Sequence, residues 1–332
     1  MHFFRLFLHP FDVSFKRLRK STSCFGYNPR LCFHAARSAE ALEKKMTVVT
    51  SRVRDVAGDE SNIWQLLHSY RKDDSDVSYS IFEISPKDKK RLLARCDFGA
   101  VSRWALEVLL EAYEDRQADA AITFYHNISG MSDAASLRGH IFERQVLKYL
   151  DRIDAERKFP IRGLAASEKR TWTYRGRITR YTFLEDLDFV EEIKRAVQNK
   201  TPLHLVPSAR NFPAVDSILY DPNEGLTCIQ ITIGEEHPIR VSGLQRIQGW
   251  LERNARLAGL LPSTERPWRF IFIVPEEEKE ASFELQRLGG DTAQGHWAGK
   301  VHQYVLWLDV VGRKPGSVYY CLDAGDSSDS TP

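Results

Sequence analysis

Five cysteines, at positions 24, 32, 96, 228 and 321, are scattered through 332 residues and form no CxxC pair. That spacing encodes no zinc site. An odd count in a long chain fits a reducing compartment better than a disulfide framework. Long apolar runs are also missing. FIFIV at 270–274 and VLWL at 305–308 read as buried strands, far short of the roughly 18 residues that suggest a membrane span, so no membrane partner is expected. No GxxxxGK[ST] occurs, which excludes a phosphate-cradling loop of that type. No small-molecule ligand is indicated. A large excess of one charge is lacking too: 47 basic and 45 acidic residues give +2. Nucleic-acid binding would therefore have to come from local patches.

The charge is unevenly placed. Residues 1–39 hold seven Arg/Lys against Asp12 alone; 47 less 7 and 45 less 1 leave 40 basic and 44 acidic residues for the rest. The leader 1–45 is basic and aromatic and admits three readings: a disordered extension, a mitochondrial presequence, or a secretion leader of an effector. The length suggests two domains or one large one. The expected division is the extension 1–45, a small mixed α/β linker unit 46–130, a main domain 131–322, and a tail 323–332 too small and polar to order itself.

Helical periodicity predicts helices in SNIWQLLHSYR (61–71), PKDKKRLLARC (86–96), AVSRWALEVLLEAYEDRQ (100–117), SLRGHIFERQVLKYLD (136–151), LEDLDFVEEIKRAVQNK (184–200) and RIQGWLERNARLAGLL (246–261). VSYSIFEI, PLHLVP, PWRFIFIVP and VHQYVLWLDV read as strands, the last two separated by a charged helical segment; AAITFYHNI is apolar and of undecided type. Glu143 lies on the apolar face of its helix, with Val146, Leu147 and Leu150 at i+3, i+4 and i+7. A carboxylate there needs a partner, such as an arginine, or a place at the edge of the core.

Residues 168–183, EKRTWTYRGRITRYTF, interleave Lys169, Arg170, Arg175, Arg177 and Arg180 with Trp172, Tyr174 and Tyr181. They read as a hairpin. Basic groups and flat rings together suit phosphate contact and base stacking; the alternative is a solvated hairpin whose rings pack on the body.

Two apolar runs flank the turn DPNEG at 221–225, and each carries a polar intruder, Asp216 in AVDSILY and Gln230 in CIQITI. A hairpin centred on Asn223 sets Asp216 opposite Gln230. Alternation then puts Asp216, Gln230 and Thr232 on one face and Val215, Leu219, Ile229, Ile231 and Ile233 on the other. His237 follows just past the strand. Such an oxygen-rich line suits Mg²⁺, with Glu143 completing it; alternatively Asp216 and Gln230 simply hydrogen-bond each other.

GHIFER on a helix, then NFPAVDSILY, then IQITIGEEHPI and GLQRI, resemble the C-terminal nuclease-like domain of Crinkler effectors and retrotransposon hot spot proteins, over about residues 136–310. That domain belongs to the PD-(D/E)xK restriction-endonuclease-like superfamily. The resemblance implies an α/β fold with an α+β mixed sheet and an αβββαβ core, preceded by a small mixed helical unit. It implies a divalent-metal-dependent endonuclease acting on DNA with Mg²⁺ or Mn²⁺, acting as an effector. Asp216 matches the motif's Asp, Gln230 takes the place of its Asp or Glu, Thr232 that of its Lys, and Glu143 matches the acid of the first helix. The implied metal set is Glu143, Asp216 and Gln230. His237 and Arg240 would stand near the phosphate, and Arg170, Arg175, Arg177 and Arg180 would contact nucleic acid. The resemblance implies a nuclear location, with mitochondrial import or secretion as alternatives from the leader. Gln230 and Thr232 depart from the acidic and basic motif positions, so a catalytically inactive nucleic-acid-binding or effector protein that keeps the fold is the alternative.

Overall fold

Leu18, Ser21 and Phe25 recur at helical spacing and are all buried, and they set one face of helix α1 (Phe15–Phe25). In this computed structural model the described residues are 15–26, 28–56, 82–86, 96–114, 120–129, 134–176, 178–183, 186–208, 212–276, 283–289 and 295–312. Helix α2 (Pro29–Ala35) starts on Asn28, whose side chain accepts the Leu31 N–H, with Pro29 in the first turn where no N–H is needed. Helix α3 (Ala39–Val56) starts after Ser38, which accepts from Ala41 N, and buries Leu42, Val49 and Val53. Residues 15–45, which composition alone leaves open to disorder or targeting, thus form helices that enter the core. The predicted helix 61–71 and the tail 323–332 lie outside the described residues.

A two-stranded antiparallel sheet, β1 (Phe82–Pro86) and β2 (Cys96–Ala100), leads to helix α4 (Arg103–Glu114). The predicted helix 86–96 overlaps both strands, and its interior falls outside the described residues. Ser102 caps α4 through Ala105 N and donates to Cys24 O (2.5 Å), tying α4 to the end of α1. The undecided stretch AAITFYHNI becomes helix α5 (Ala120–Asn127). Helix α6 (Ala135–Arg152) carries Glu143. Its buried Arg144 pairs with Glu107 and Glu114 of α4, and Lys148 joins Glu114. One hydrophobic cluster takes in Leu18, residues of α4 and α6, and Leu306.

Strands β3 (Arg157–Gly163) and β4 (Lys169–Tyr174) pair antiparallel. Strand β5 (Thr179–Phe183), helix α7 (Asp186–Asn199), β6 (Leu203–Pro207), β7 (Ser217–Asp221) and β8 (Gly225–Ile231) follow. Next come β9 (Ile239–Arg240), helix α8 (Val241–Glu252), a 3₁₀ turn (Ala255–Leu260), β10 (Trp268–Pro275), β11 (Leu288–Gly289) and β12 (Val301–Leu308). Of the segment between β10 and β12, residues 283–287 are irregular and 295–297 are helical. Eight strands form one sheet in the order β4-β3-β12-β10-β8-β7-β6-β5. β8, β10 and β12 are mutually parallel neighbours, whereas β6, β7 and β8 form an antiparallel meander. The class is mixed α/β, compatible with α+β.

The stretch 168–183 is not a hairpin. β4 and β5 sit at opposite edges of the sheet, because β4 pairs with β3 whereas β5 pairs parallel with β6. The chain turns between them at Gly176, at φ +70°, where a Cβ would run into the Ala155 main chain. Only two residue pairs, Tyr304 with Gly163 and Val305 with Arg162, join β12 to the β3–β4 ribbon. It packs on α6, with Phe159 against Tyr149 at 6.4 Å between ring centroids.

Both sheet faces are covered. Leu219, Ile229, Ile231, Ile271 and Ile273 pack on the α6 side; Ile218, Tyr220, Leu226, Cys228, Phe270 and Phe272 pack on the side of α7 and α8. A second cluster centres there on Trp250, 4.9 Å from Phe189 between ring centroids. The expectation of one apolar and one polar face therefore fails in the middle of the hairpin. Val215 also lies with the α8 cluster, opposite to Ile229. Regular pairing begins only at Ser217, and Ala214 just before it has φ +75°, so strand alternation does not extend back to 215.

Candidate functional site

The turn brings the two intruders together, but not as a directly opposed pair. Ser217 pairs with Ile229 and Asp221 with Gly225, and there the regular register ends: Asp216 N also donates to Ile229 O (2.9 Å), so the strand bulges and Asp216 meets Gln230 through its side chain. Asp221 Oδ1 accepts the N–H groups of Asn223 (2.7 Å) and Glu224 (3.2 Å), and Gly225 supplies φ +80°. These are local devices that close a tight turn at low cost.

Asp216 Oδ2 accepts from Ile231 N (2.6 Å) and from Gln230 Nε2 (3.0 Å). The hydrogen-bond alternative is thus observed. The amide meets Asp216 through its nitrogen, which makes Gln230 a holder of the carboxylate. The two do not stand alone, however. Glu143, Asp216, Gln230, Thr232, His237 and Arg240 all line one cavity of about 290 Å³ at the end of β8. Its wall also includes His140, one turn before Glu143, with Nδ1 3.4 Å from Glu143 Oε2. In the sequence, His140 is marked only by its i, i+3 spacing to Glu143.

Three elements deliver these groups. Helix α6 starts at the cavity, so Glu143 reaches it from the third turn and stays largely buried, at 14% exposure. Helix α8 starts there too, from Arg240. Its Gly243 lies so close to the loop before β7 that a Cβ would run into Pro213 O and the Ala214 side chain. That contact sets the loop carrying Asp216 against the helix. Neither α6 nor α8 has a side-chain hydrogen bond at its N-cap. Two positive helix ends therefore border a cavity that already holds two carboxylates, and both groups of donors favour an anion. Thr232, buried, accepts from Gly234 N (3.1 Å) and lies 3.4 Å from His237 Nδ1. Burial, and secondarily the charge of Arg240, push the His237 pKa down. His237 is consequently a neutral ring at pH 7.

Among the described residues no group of three or more His, Cys, Asp or Glu has metal-binding geometry. The donor set is two carboxylates from facing elements. This does not make a closed zinc centre, but it suits Mg²⁺, which keeps several waters and takes one or two carboxylates plus substrate phosphate.

The expected nucleic-acid contacts are dispersed. Arg175 pairs with Asp221 Oδ2 (2.5 Å), at the turn end of β7, away from Asp216. Arg180 pairs with Asp151 (2.7 Å), at the far end of α6 from Glu143. Arg170 is exposed and pairs with Glu168 (2.8 Å). Arg177 lies outside the described residues. Trp172 and Tyr174 are fully buried and offer no stacking surface. Arg240 alone of the four described arginines lines the cavity.

No described helix is long and apolar enough to cross a membrane. Comparison with protein-family models, with curated proteins and with solved structures finds no match for this chain.

Proposed function

We propose that this protein is a divalent-metal-dependent nuclease acting on the phosphodiester bonds of DNA. The observation that carries the reading is that Glu143 and Asp216, far apart in the chain, line one cavity with Gln230, Thr232, His237 and Arg240. The element order supports it: α6, the β6–β7–β8 meander, α8 and then β10 beside β8 run in the αβββαβ order of the restriction-endonuclease-like core, with β3, β4, β5 and α7 inserted after α6. In this reading Glu143 and Asp216 hold Mg²⁺ or Mn²⁺, and Gln230 keeps Asp216 in place. When bound, the ion supplies Lewis acidity toward the phosphoryl oxygen and a more acidic water. Arg240 and the two helix ends attract the phosphate, and the buried walls limit access of bulk water.

One observation favours a second reading, a nucleic-acid-binding protein that has lost catalysis. Asp216 Oδ2 is already engaged by Ile231 N and Gln230 Nε2, which weakens it as a ligand. Plasmid nicking with Mg²⁺, Mn²⁺ or EDTA separates the two. Metal-dependent cleavage that disappears in Asp216→Ala and Glu143→Ala supports the first. DNA binding without cleavage in any metal leaves only the second.

A further inference from the structure

The motif position that would hold a lysine is Thr232, and no lysine lines the cavity among the described residues. A hydrogen-bond donor toward the substrate must then come from another group. His237 sits on a loop that a buried amide pair holds in place. Gln286 Oε1 accepts the His237 N–H (2.5 Å), while Gln286 Nε2 donates to Glu235 O (3.0 Å) and Glu284 O (2.9 Å). Gln286 is itself clamped by Gln303 of β12: Gln286 N donates to Gln303 Oε1 and Gln303 Nε2 to Gln286 O, both at 2.9 Å. Alongside, Ile239 N donates to Arg287 O (2.9 Å), and β9 pairs with β11. Both glutamine side chains are at least nine-tenths buried with both amide ends used. Buried polar networks of this completeness restrict geometry strongly.

The group that bears on the ring's tautomer is Thr232. A main-chain N–H can only donate, so Thr232 Oγ1 is the acceptor toward Gly234 N. The hydroxyl's own hydrogen is free to point at His237 Nδ1, 3.4 Å away. With that hydrogen directed at Nδ1, the ring accepts there and its proton resides on Nε2.

We propose that Gln286 is the positioning residue of this cavity, setting the 234–238 loop so that His237 presents a neutral Nε2–H as the donor to a substrate phosphate oxygen. The role toward phosphate rests on the nuclease reading; the positioning and the tautomer do not. The depressed pKa of His237 agrees with a neutral donor, with Arg240, His140, Glu143 and Asp216 as the charged or titratable groups sharing its cavity.

The test uses the full chain with ¹⁵N-labelled histidine, the His237 signals being assigned by their loss in His237→Gln. The expected result without substrate at pH 7.5 is an Nε2–H ring that becomes a tautomer mixture in Gln286→Leu. Thr232→Val should have the same effect without disturbing the glutamine pair, and it keeps the test open if Gln286→Leu does not fold. With Mg²⁺ and plasmid, His237→Gln, whose amide N–H replaces the ring donor, should stay within about 10-fold of wild type, whereas His237→Ala should lose about 100-fold or more in kcat. An Nδ1–H ring, or a ring unchanged in both Gln286→Leu and Thr232→Val, overturns this inference even if wild type cleaves DNA. A wild type that cleaves nothing while its ring reads Nε2–H overturns the nuclease reading and the phosphate role, and leaves the positioning role supported.

Discussion

Asp216 and Gln230 share a hydrogen bond at the proposed metal site. Replacing Asp216 by Ala removes a proposed ligand and also strands Ile231 N and Gln230 Nε2, a cost of about 1–3 kcal/mol if they stay buried. Asp216→Asn is the gentler probe. Gln230→Glu is more informative, because it puts a second carboxylate where an N–H now meets Asp216. In EDTA the pair repels and one pKa of the pair rises. The folded state then binds more protons than the unfolded chain, so the mutant's stability should fall as pH rises from 5 to 8. Mg²⁺ should restore it more than in wild type. Melting curves across pH and Mg²⁺ check this, and equal metal responses in the two proteins would show that Gln230 and Asp216 share no metal site. A different residue controls acid stability. His204 is fully buried with neither ring nitrogen partnered, and burial pushes its pKa from 6.5 down to about 3. The ring is neutral when folded and charged when unfolded below pH 6.5, so stability is lost as pH falls through that window. At pH 5 the loss is about 2 kcal/mol. His204→Leu should flatten this part of the urea-midpoint profile between pH 7 and 5; an unchanged slope would mean that the ring is not the group responsible.

At the scale of elements, the site depends on how closely α8 approaches the loop before β7. Gly243 permits that approach, since a Cβ would meet Pro213 O, a main-chain atom that cannot rotate away. Gly243→Ala should therefore cost about 1–3 kcal/mol through overpacking and displace Asp216. Gly249, on the same helix with no atom near its missing Cβ, is the control. Gly249→Ala should be neutral or stabilising by up to about 1 kcal/mol from helix propensity. Urea unfolding of the two variants checks this, and equal midpoints would deny the close contact its role. The sheet's edges teach a related point. Arg175 and Arg180 flank Gly176 in sequence like the arms of a basic hairpin, yet each belongs to a separate ion pair, with Asp221 and Asp151. An arginine already paired within the fold gains less from a phosphate than composition suggests, because the existing pair must first be broken.

For the whole molecule, the helices α1–α3 are the main addition to what composition allowed. A leader that is basic and poor in acids resembles a targeting segment in composition, but Leu18 and Phe25 are almost completely buried against the body. At about 1.5–3 kcal/mol for each such side chain, their loss alone approaches the low end of the net stability of a domain, about 5 kcal/mol. Removing residues 1–38 should therefore lower the melting temperature by roughly 10 °C or render the chain insoluble, at about 2–4 °C per kcal/mol for a large domain. A truncated protein that melts with the full-length one would show that α1 and α2 add nothing to the fold. The same core also links α4 to α6 through Arg144, Glu107 and Glu114, so damage at the N-terminal helices reaches the helix that carries Glu143.

The sequence by itself determined the local units. Periodicity located α4, α6 and α7, and the turn residues of DPNEG, with equal arms about Asn223, set the β7–β8 register from Ser217 to Asp221 that brings Asp216 within reach of Gln230. These depend on residues within a few positions of each other, where the steric and hydrogen-bonding rules are periodic. Only the tertiary structure decided that Glu143 shares a cavity with Asp216, that β4 and β5 part to opposite edges, that Trp172 and Tyr174 are buried, and that Gln286 holds His237. Each of these joins segments distant in the chain. Such contacts are selected by the packing of whole layers on the sheet and by which buried polar groups can find partners, and neither condition leaves a period in the sequence.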